Sequence, residues 1–263
     1  MLATTVFACG VLASGTPCTA GAWPQPPGTT LLIIDLQTSS TDREYDQNGK
    51  LVARRNYQKV EVAPYLEHGL TDDLTLVGRT SLLKQSSDVP GGTIASTTIT
   101  EVEAGLRYHA FTISGMLVSI QPGLIYHTAL TDDDPYTSKA GDIDKKIAIL
   151  LGRSSTLLGI PTFTSTESAY IFHDHNRPDE VKTDVTLGFG SGEGTLFMIK
   201  SFNSVSVGTS PLTPSHVISS KLGFQLVERV HPLLSIGGGI TQTIAGQNTT
   251  KETLFGLTLW YHL

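Results

Sequence analysis

The feature that most constrains this chain is an alternation of apolar and polar side chains held over segments too long for a water-soluble sheet. From Lys59, one set of positions carries Lys59, Glu61, Ala63, Tyr65 and Glu67, and the set between them Val60, Val62, Pro64 and Leu66. Residues 101–109 repeat the split, with Glu101, Glu103, Gly105, Arg107 and His109 against Val102, Ala104, Leu106 and Tyr108. Residues 181–189 set Lys182, Asp184, Thr186 and Gly188 against Val181, Val185, Leu187 and Phe189. A period of two marks a strand with two unlike faces, and no stretch holds a helical period over a useful length.

Turn chemistry punctuates this pattern at short intervals: Asp46-Gln47-Asn48-Gly49, Thr71-Asp72-Asp73, Pro90-Gly91-Gly92, 132–135, 176–179, Ser191-Gly192-Glu193-Gly194, 211–214 and 245–248. With softer breaks near Phe111, Gly159 and Pro232 it divides the chain into about twelve strands. The expected strands are 29–43, 56–70, 73–87, 97–109, 113–127, 143–153, 162–174, 180–189, 195–207, 215–229, 233–244 and 252–263. Several span 13 to 15 residues, whereas strands of soluble proteins usually have about 5 or 6. Crossing a bilayer at a tilt takes about 9 to 11. The gaps after strands 2, 4, 6, 8 and 10 are brief, and those after 1, 3, 5 and 9 are longer and polar; the gap after strand 7 is also short. An even strand number with turns on one side and loops on the other predicts an all-β, antiparallel, up-and-down transmembrane β-barrel.

Other classes fall away. The longest purely aliphatic run, Ile147–Leu151, is five residues, where a spanning helix needs about 20. A net charge of −6 and a pI near 5.7 argue against a nucleic-acid partner. At the N-terminus, the apolar run Val6–Ser14 followed by Ala20-Gly21-Ala22 reads as a secretory leader over residues 1–22, although no Lys or Arg precedes the run. The barrel domain would then cover 23–263. Cys9 and Cys18 would leave with the leader, so neither a disulfide nor a thiolate metal site is expected.

The last residues, FGLTLWYHL, place Phe255, Leu257, Leu259, Tyr261 and Leu263 on one face. This resembles the terminal strand of bacterial outer-membrane β-barrel proteins, which commonly ends in Phe or Trp where this chain has Leu263. The resemblance implies an outer-membrane location, insertion by the barrel-assembly machinery, and contact with outer-membrane lipids and lipopolysaccharide. A final strand that pairs with the first leaves no edge in lipid. Tyr108, Tyr126 and Tyr261 would join the interfacial girdles. More narrowly, WPQPPGTTLLI (23–33) and NYQKVEVAPYLEHGLTDDLTL (56–76) resemble uncharacterised proteobacterial barrels distantly similar to aromatic-degradation (meta-pathway) uptake families.

The polar faces then become the lumen. Lys59, Glu61, Glu67, Arg79, Glu101, Glu103, Arg107, His109, Lys182, Asp184, Lys200 and Lys221 are the expected lumen-lining residues. On neighbouring strands opposite charges can meet across the ladder. The plainer reading of this patch is a salt-bridge mesh that stiffens the wall; the functional one is a selectivity device.

Other constellations carry less. His173-Asp174-His175 places two imidazoles on one face without a third ligand nearby, so a solvated loop entrance is favoured over a metal site. The acidic stretch 131–144 lacks the spacing of a calcium loop. Residues 188–194, GFGSGEG, precede a strand rather than the helix that phosphate binding needs. Gly237-Gly238-Gly239 inside a strand predicts a bend or close packing. No G-x-S-x-G occurs, and His68 shares the apolar face without a matching Ser. The expectation is a monomeric, non-enzymatic, cofactor-free barrel passing small solutes, with a non-conducting barrel and a lipid-modifying enzyme as alternatives.

Overall fold

Long alternating segments cannot bury both faces, and in the computed structural model they form one continuous antiparallel sheet that closes on itself. Residues 21–89, 91–128, 141–174, 177–190, 194–208 and 216–263 are described. Most of the leader, the stretch 129–140, His175, and the tips at 191–193 and 211–214 lie outside them. The strands are β1 (Thr30–Tyr45), β2 (Leu51–Gly69), β3 (Leu74–Val89), β4 (Gly92–Ile113), β5 (Met116–His127), β6 (Ile143–Leu157) and β7 (Ile160–Phe172). They continue with β8 (Asp179–Gly190), β9 (Thr195–Val207), β10 (Ile218–His231), β11 (Leu234–Gln247), the short β12 (Thr249–Thr250) and β13 (Thr253–His262). Both β12 and β13 pair with β1, so together they make the twelfth stave.

Each strand pairs with the next, and the ladder from Leu31↔His262 to Ser39↔Leu254 seals the seam between β1 and β13. Closure removes every edge, as hydrocarbon requires. The apolar ending of the chain is thereby explained: it is wall and seam at once.

Burial settles which face is which. In a sandwich the apolar alternates would be the core, but here they are the exposed ones, for example Val102 at 44% and Leu106 at 42%. Their neighbours Glu103 and Arg107 are 8% and 1% exposed. An apolar surface running around the whole molecule, with polar groups inside, belongs in a bilayer rather than in water.

The strands run longer than expected, up to 22 residues in β4. The third gap shrinks accordingly: β3 reaches Val89 and β4 begins at Gly92, because the Thr- and Ser-rich stretch 93–100 continues the ladder beyond the membrane. The break expected near Phe111 is a bulge between His109 and Phe111, and the chain turns at Ser114-Gly115, both with positive φ. That tight hairpin, like the one at Leu158-Gly159, fits the twist of the flanking strands. The Gly237–Gly239 run is close packing. A Cβ at Gly237 would lie 2.3 Å from the Leu226 carbonyl oxygen, and one at Gly239 2.5 Å from that of Phe224.

Both described chain ends share one rim with the turns at 70–73, 114–115, 158–159 and 232–233. Short turns mark the periplasmic side, so the described residues that follow β5, β7 and β9, namely Thr128, His173 and Gly208, lie toward the outer rim.

Candidate functional site: the lumen

The lumen has three levels. At the periplasmic level the residues before β1 turn inward and fill it. Ala22 is fully buried, and its carbonyl oxygen accepts a hydrogen bond from Ser119 Oγ at 2.8 Å. The Trp23 carbonyl accepts from Arg107 Nη1 at 3.2 Å. Gln25 donates its backbone N–H to Thr75 Oγ1 and its side-chain amide to Glu67 Oε2. Passage over the β2 end requires Gly69, where a Cβ would lie 2.1 Å from the Pro26 oxygen.

Arg107 is the centre of this clasp. It pairs with Glu67 at 2.8 Å across β3, and also meets Tyr65 Oη and Gln121 Oε1. Both charged side chains are almost wholly covered, at 1% and 0%. Expected to line a wet path, Glu67 and Arg107 instead anchor the inserted segment, which covers them.

Beside the clasp the lumen is apolar. Leu31, Ile33, Phe163, Leu196, Met198, Val227 and Trp260 form a buried cluster against Trp23 and Tyr65. Trp23 meets Phe163 edge-on at 5.9 Å. Burying such surface is favourable by about 25 cal/mol per Å², so this end resembles the interior of a soluble protein.

The middle level is open. A cavity of about 420 Å³ is lined by Asp35, Glu61, Arg79, Glu101, Glu103, Lys146, Glu167, Lys182, Asp184 and Lys200, among others. A side pocket of about 90 Å³ joins Asp35 and Lys200 to Ile33, Phe163, Met198 and Trp260. Lys146 is held by Glu103 and Glu167, each at 2.9 Å. Arg79 differs. It is exposed to the lumen and faces Glu61, Glu101, Glu103 and Asp184, yet among the described residues it has no ion pair within 4.0 Å. Arg79 and Glu103 are register partners, yet Glu103 is taken by Lys146, which reaches it from β6.

Nearer the outer rim, Lys59 and Lys221 share Glu252, at 3.5 and 3.3 Å. His109 lies at the opposite rim, tied to Asp73 at 2.9 Å, away from the chamber.

The mouth holds a cluster that the sequence reading assigned to a solvated loop. Asp144, completely buried, accepts from His127 Nε2 and His173 Nδ1, both at 2.7 Å, from the Asp174 backbone N–H, and from Arg177. His173 also faces Glu180 at 3.6 Å. Burial works against a charged imidazole there, but the hydrogen bonds to Asp144 and Glu180 hold the His173 pKa above its ordinary 6.5. These contacts tie His173, Asp174 and Arg177 to β6, and His173 to β8, with His127 of β5 on the same carboxylate. Among the described residues no set of three His, Cys, Asp or Glu side chains is arranged to hold a metal.

Sequence reasoning missed Lys146, Glu167, Asp144 and the inserted segment. Lys146 and Glu167 share parity with the expected residues, but Ala148 and Leu150, also inward, hid the alternation of β6. On the lipid face, His68 Nδ1 lies 2.8 Å from Thr30 Oγ1.

No family model and no curated protein matches the sequence. Solved structures do match the fold. The COG4313 outer membrane channel from Pseudomonas putida F1 aligns with a TM-score of 0.69 over 93% of this chain and 99% of that one, at 15% identity. The NanC porin aligns at 0.51 over 88% and 100%, at 9% identity. The translocator domain of autotransporter NalP from Neisseria meningitidis aligns at 0.51 over 90% and 89%, at 8% identity. The chain has the fold of the outer-membrane β-barrels.

Proposed function

We propose that this protein is a narrow channel of the bacterial outer membrane for small solutes. The observation that carries the reading is the charged chamber in mid-lumen with Arg79 left unpaired, because a purely structural mesh would spend its cations on neighbouring carboxylates. Mixed signs on the wall imply weak discrimination by ion charge. Likeness to a channel and a porin supports the same reading through the fold. The finer resemblance, to uptake families of aromatic degradation, is proposed for the solute class: weakly amphipathic molecules would find polar groups in the chamber and Phe163, Met198 and Trp260 beside it. A leader over 1–22 and insertion by the barrel-assembly machinery into a layer rich in lipopolysaccharide belong to the proposal. Cleavage after Ala22 would leave Trp23, whose carbonyl holds Arg107, at the new terminus.

Conductance of the refolded protein in a planar bilayer tests it. Discrete channel events, with a cation-to-anion ratio altered by Arg79→Ala, are expected. Silence at every voltage sinks the reading. A second reading, a barrel without a conducting path, is favoured by the inserted segment. It requires silence in the wild type and in Trp23→Ala alike. For the lipid-modifying alternative, release of fatty acid from phospholipid vesicles, with and without Ca²⁺, is the assay.

A further inference from the structure

The lipid-facing wall is not uniform. On β3 to β6 its outward positions are mostly apolar, as at Leu76, Leu82, Val102, Leu106, Ile120 and Ile149, and the polar exceptions Thr80 and Lys145 stand in different rows. On β7 to β10 a single hydrogen-bond row carries Ser168, Thr183, Asn203 and Ser220, each the register partner of the next. The adjacent row adds Thr166 and Ser201 on either side of Val185.

Parity and bracketing fix where this patch sits. The strand neighbours Glu167, Lys182, Asp184 and Phe202 line the lumen, so the patch faces outward. Along its strand, Thr183 lies between the outward Val181 and Val185. Ser201 and Asn203 lie between Ile199 and Val205, and Ser220 between Ile218 and Leu222. The patch is therefore inside the apolar belt rather than at a rim.

Hydrocarbon gives such groups nothing to bond to, and polar residues at that depth are costly. Part of the demand is met within the wall. Ser168 Oγ lies 3.3 Å from Thr183 Oγ1, and the Asn203 amide donates to the Thr183 carbonyl oxygen at 3.3 Å and to Ser201 Oγ at 3.0 Å. That uses the Asn203 donors and leaves its Oδ1 without a donor among the described residues.

We propose that this face is the interface through which a second copy of the chain packs in the membrane, with a two-fold axis passing close to Thr183 and Asn203. Three properties select that occupant. The patch is uncharged, so like faces do not repel. Hydroxyl and carboxamide groups both donate and accept, which makes the patch complementary to itself, as an isologous contact requires. Its side chains are short, so two walls can approach closely, as happens where small residues meet between membrane elements. A lipid tail supplies none of these bonds, and the row lies inward of Val181, Val205 and Ile218, where a soluble partner does not enter. A dimer takes the place of the single barrel expected from sequence.

The test uses the full chain with Cys9 and Cys18 replaced by Ser. Thr183→Cys, Asn203→Cys and, across the barrel on β3, Leu76→Cys are each reconstituted in phosphatidylcholine vesicles at low protein-to-lipid ratio and oxidised. The first two should cross-link to twice the monomer mass at least tenfold more than the third. Equal yields at 76 and 183, no product at 183 and 203, or an adduct of any other mass at those positions overturns the proposal. A second measurement guards against misfolding. Thr183→Leu with Asn203→Leu should raise the dimer dissociation constant about tenfold in detergent sedimentation, each change acting twice across the axis. The urea midpoint of the barrel should not fall, since leucine suits hydrocarbon. Unchanged association overturns the proposal as well. Neither readout depends on whether the barrel conducts.

Discussion

The two halves of the lumen obey different physics although the same strands build both. In the periplasmic half, Arg107 and Glu67 are sealed together beneath Trp23 and a cluster of apolar side chains. In the middle, Arg79 stands in an open chamber with carboxylates around it and none bound to it. A buried pair must be complete, because removing one partner strands the other without water. A charge in a wet chamber keeps its hydration and is free to act on whatever passes. The same residue type is thus locked into a pair in one place and left without one in the other, and the difference lies in what covers it.

The largest effect should come from breaking the locked pair. Arg107→Ala leaves Glu67 buried and uncompensated and should lower stability by about 3–5 kcal/mol, read as a fall in the urea midpoint in micelles. Protease sensitivity of the 21–28 segment should rise with it. Glu67→Gln with Arg107→Met, which removes both charges, should recover much of the loss; no recovery would show that the pair is not what holds the segment.

Next comes the apolar side of the same half. Phe163→Ala opens a void beside Trp23 and should cost about 3 kcal/mol if the cluster packs like a core. A loss below about 1 kcal/mol would mean that this half is wetter than its burial implies.

Arg79→Ala should behave oppositely. Lacking an ion pair, it should shift stability by no more than about 0.5 kcal/mol while changing the reversal potential under a salt gradient. A destabilisation as large as that of Arg107→Ala would erase the contrast between the halves.

The smallest expected effect is at the mouth. The His173 pKa is raised in the folded chain, so the fold favours its charged form. Its contribution is fully present below the ordinary value of 6.5 and is lost as pH climbs through the higher folded value. Amide protection at His173 and Asp174, measured relative to the intrinsic exchange rate at each pH, should therefore fall above about pH 6.5, and His173→Gln should flatten that dependence. A profile unaltered by the substitution would point to another group.

Much of the architecture was legible because lipid imposes a simple demand. Most alternate residues on a wall strand are apolar, and Val60, Val102, Leu106 and Leu187 announce their face without any tertiary information. The same parity puts Lys59, Glu61, Arg79, Glu101, Glu103, Lys182, Asp184 and Lys200 on one face, and all of these but Lys59 border the mid-lumen cavity. Strand ends were less legible, since beyond the membrane nothing requires an apolar outward face and alternation fades, as in 93–100 of β4.

What fills the lumen lay outside the sequence pattern. Inward positions answer to whatever occupies the interior, and that was decided by the residues ahead of β1 folding back over Gly69. Ala148 and Leu150 are apolar because Ala22 and Trp23 pack on them, and Asp144 gathers His127 from the end of β5 and His173 and Arg177 from beyond β7. The sequence by itself determined a closed wall with an oily outside, because the bilayer reads one residue at a time in strict alternation. The tertiary structure alone decided which inward charges are locked and which are free, because water access depends on contacts between segments far apart in the chain.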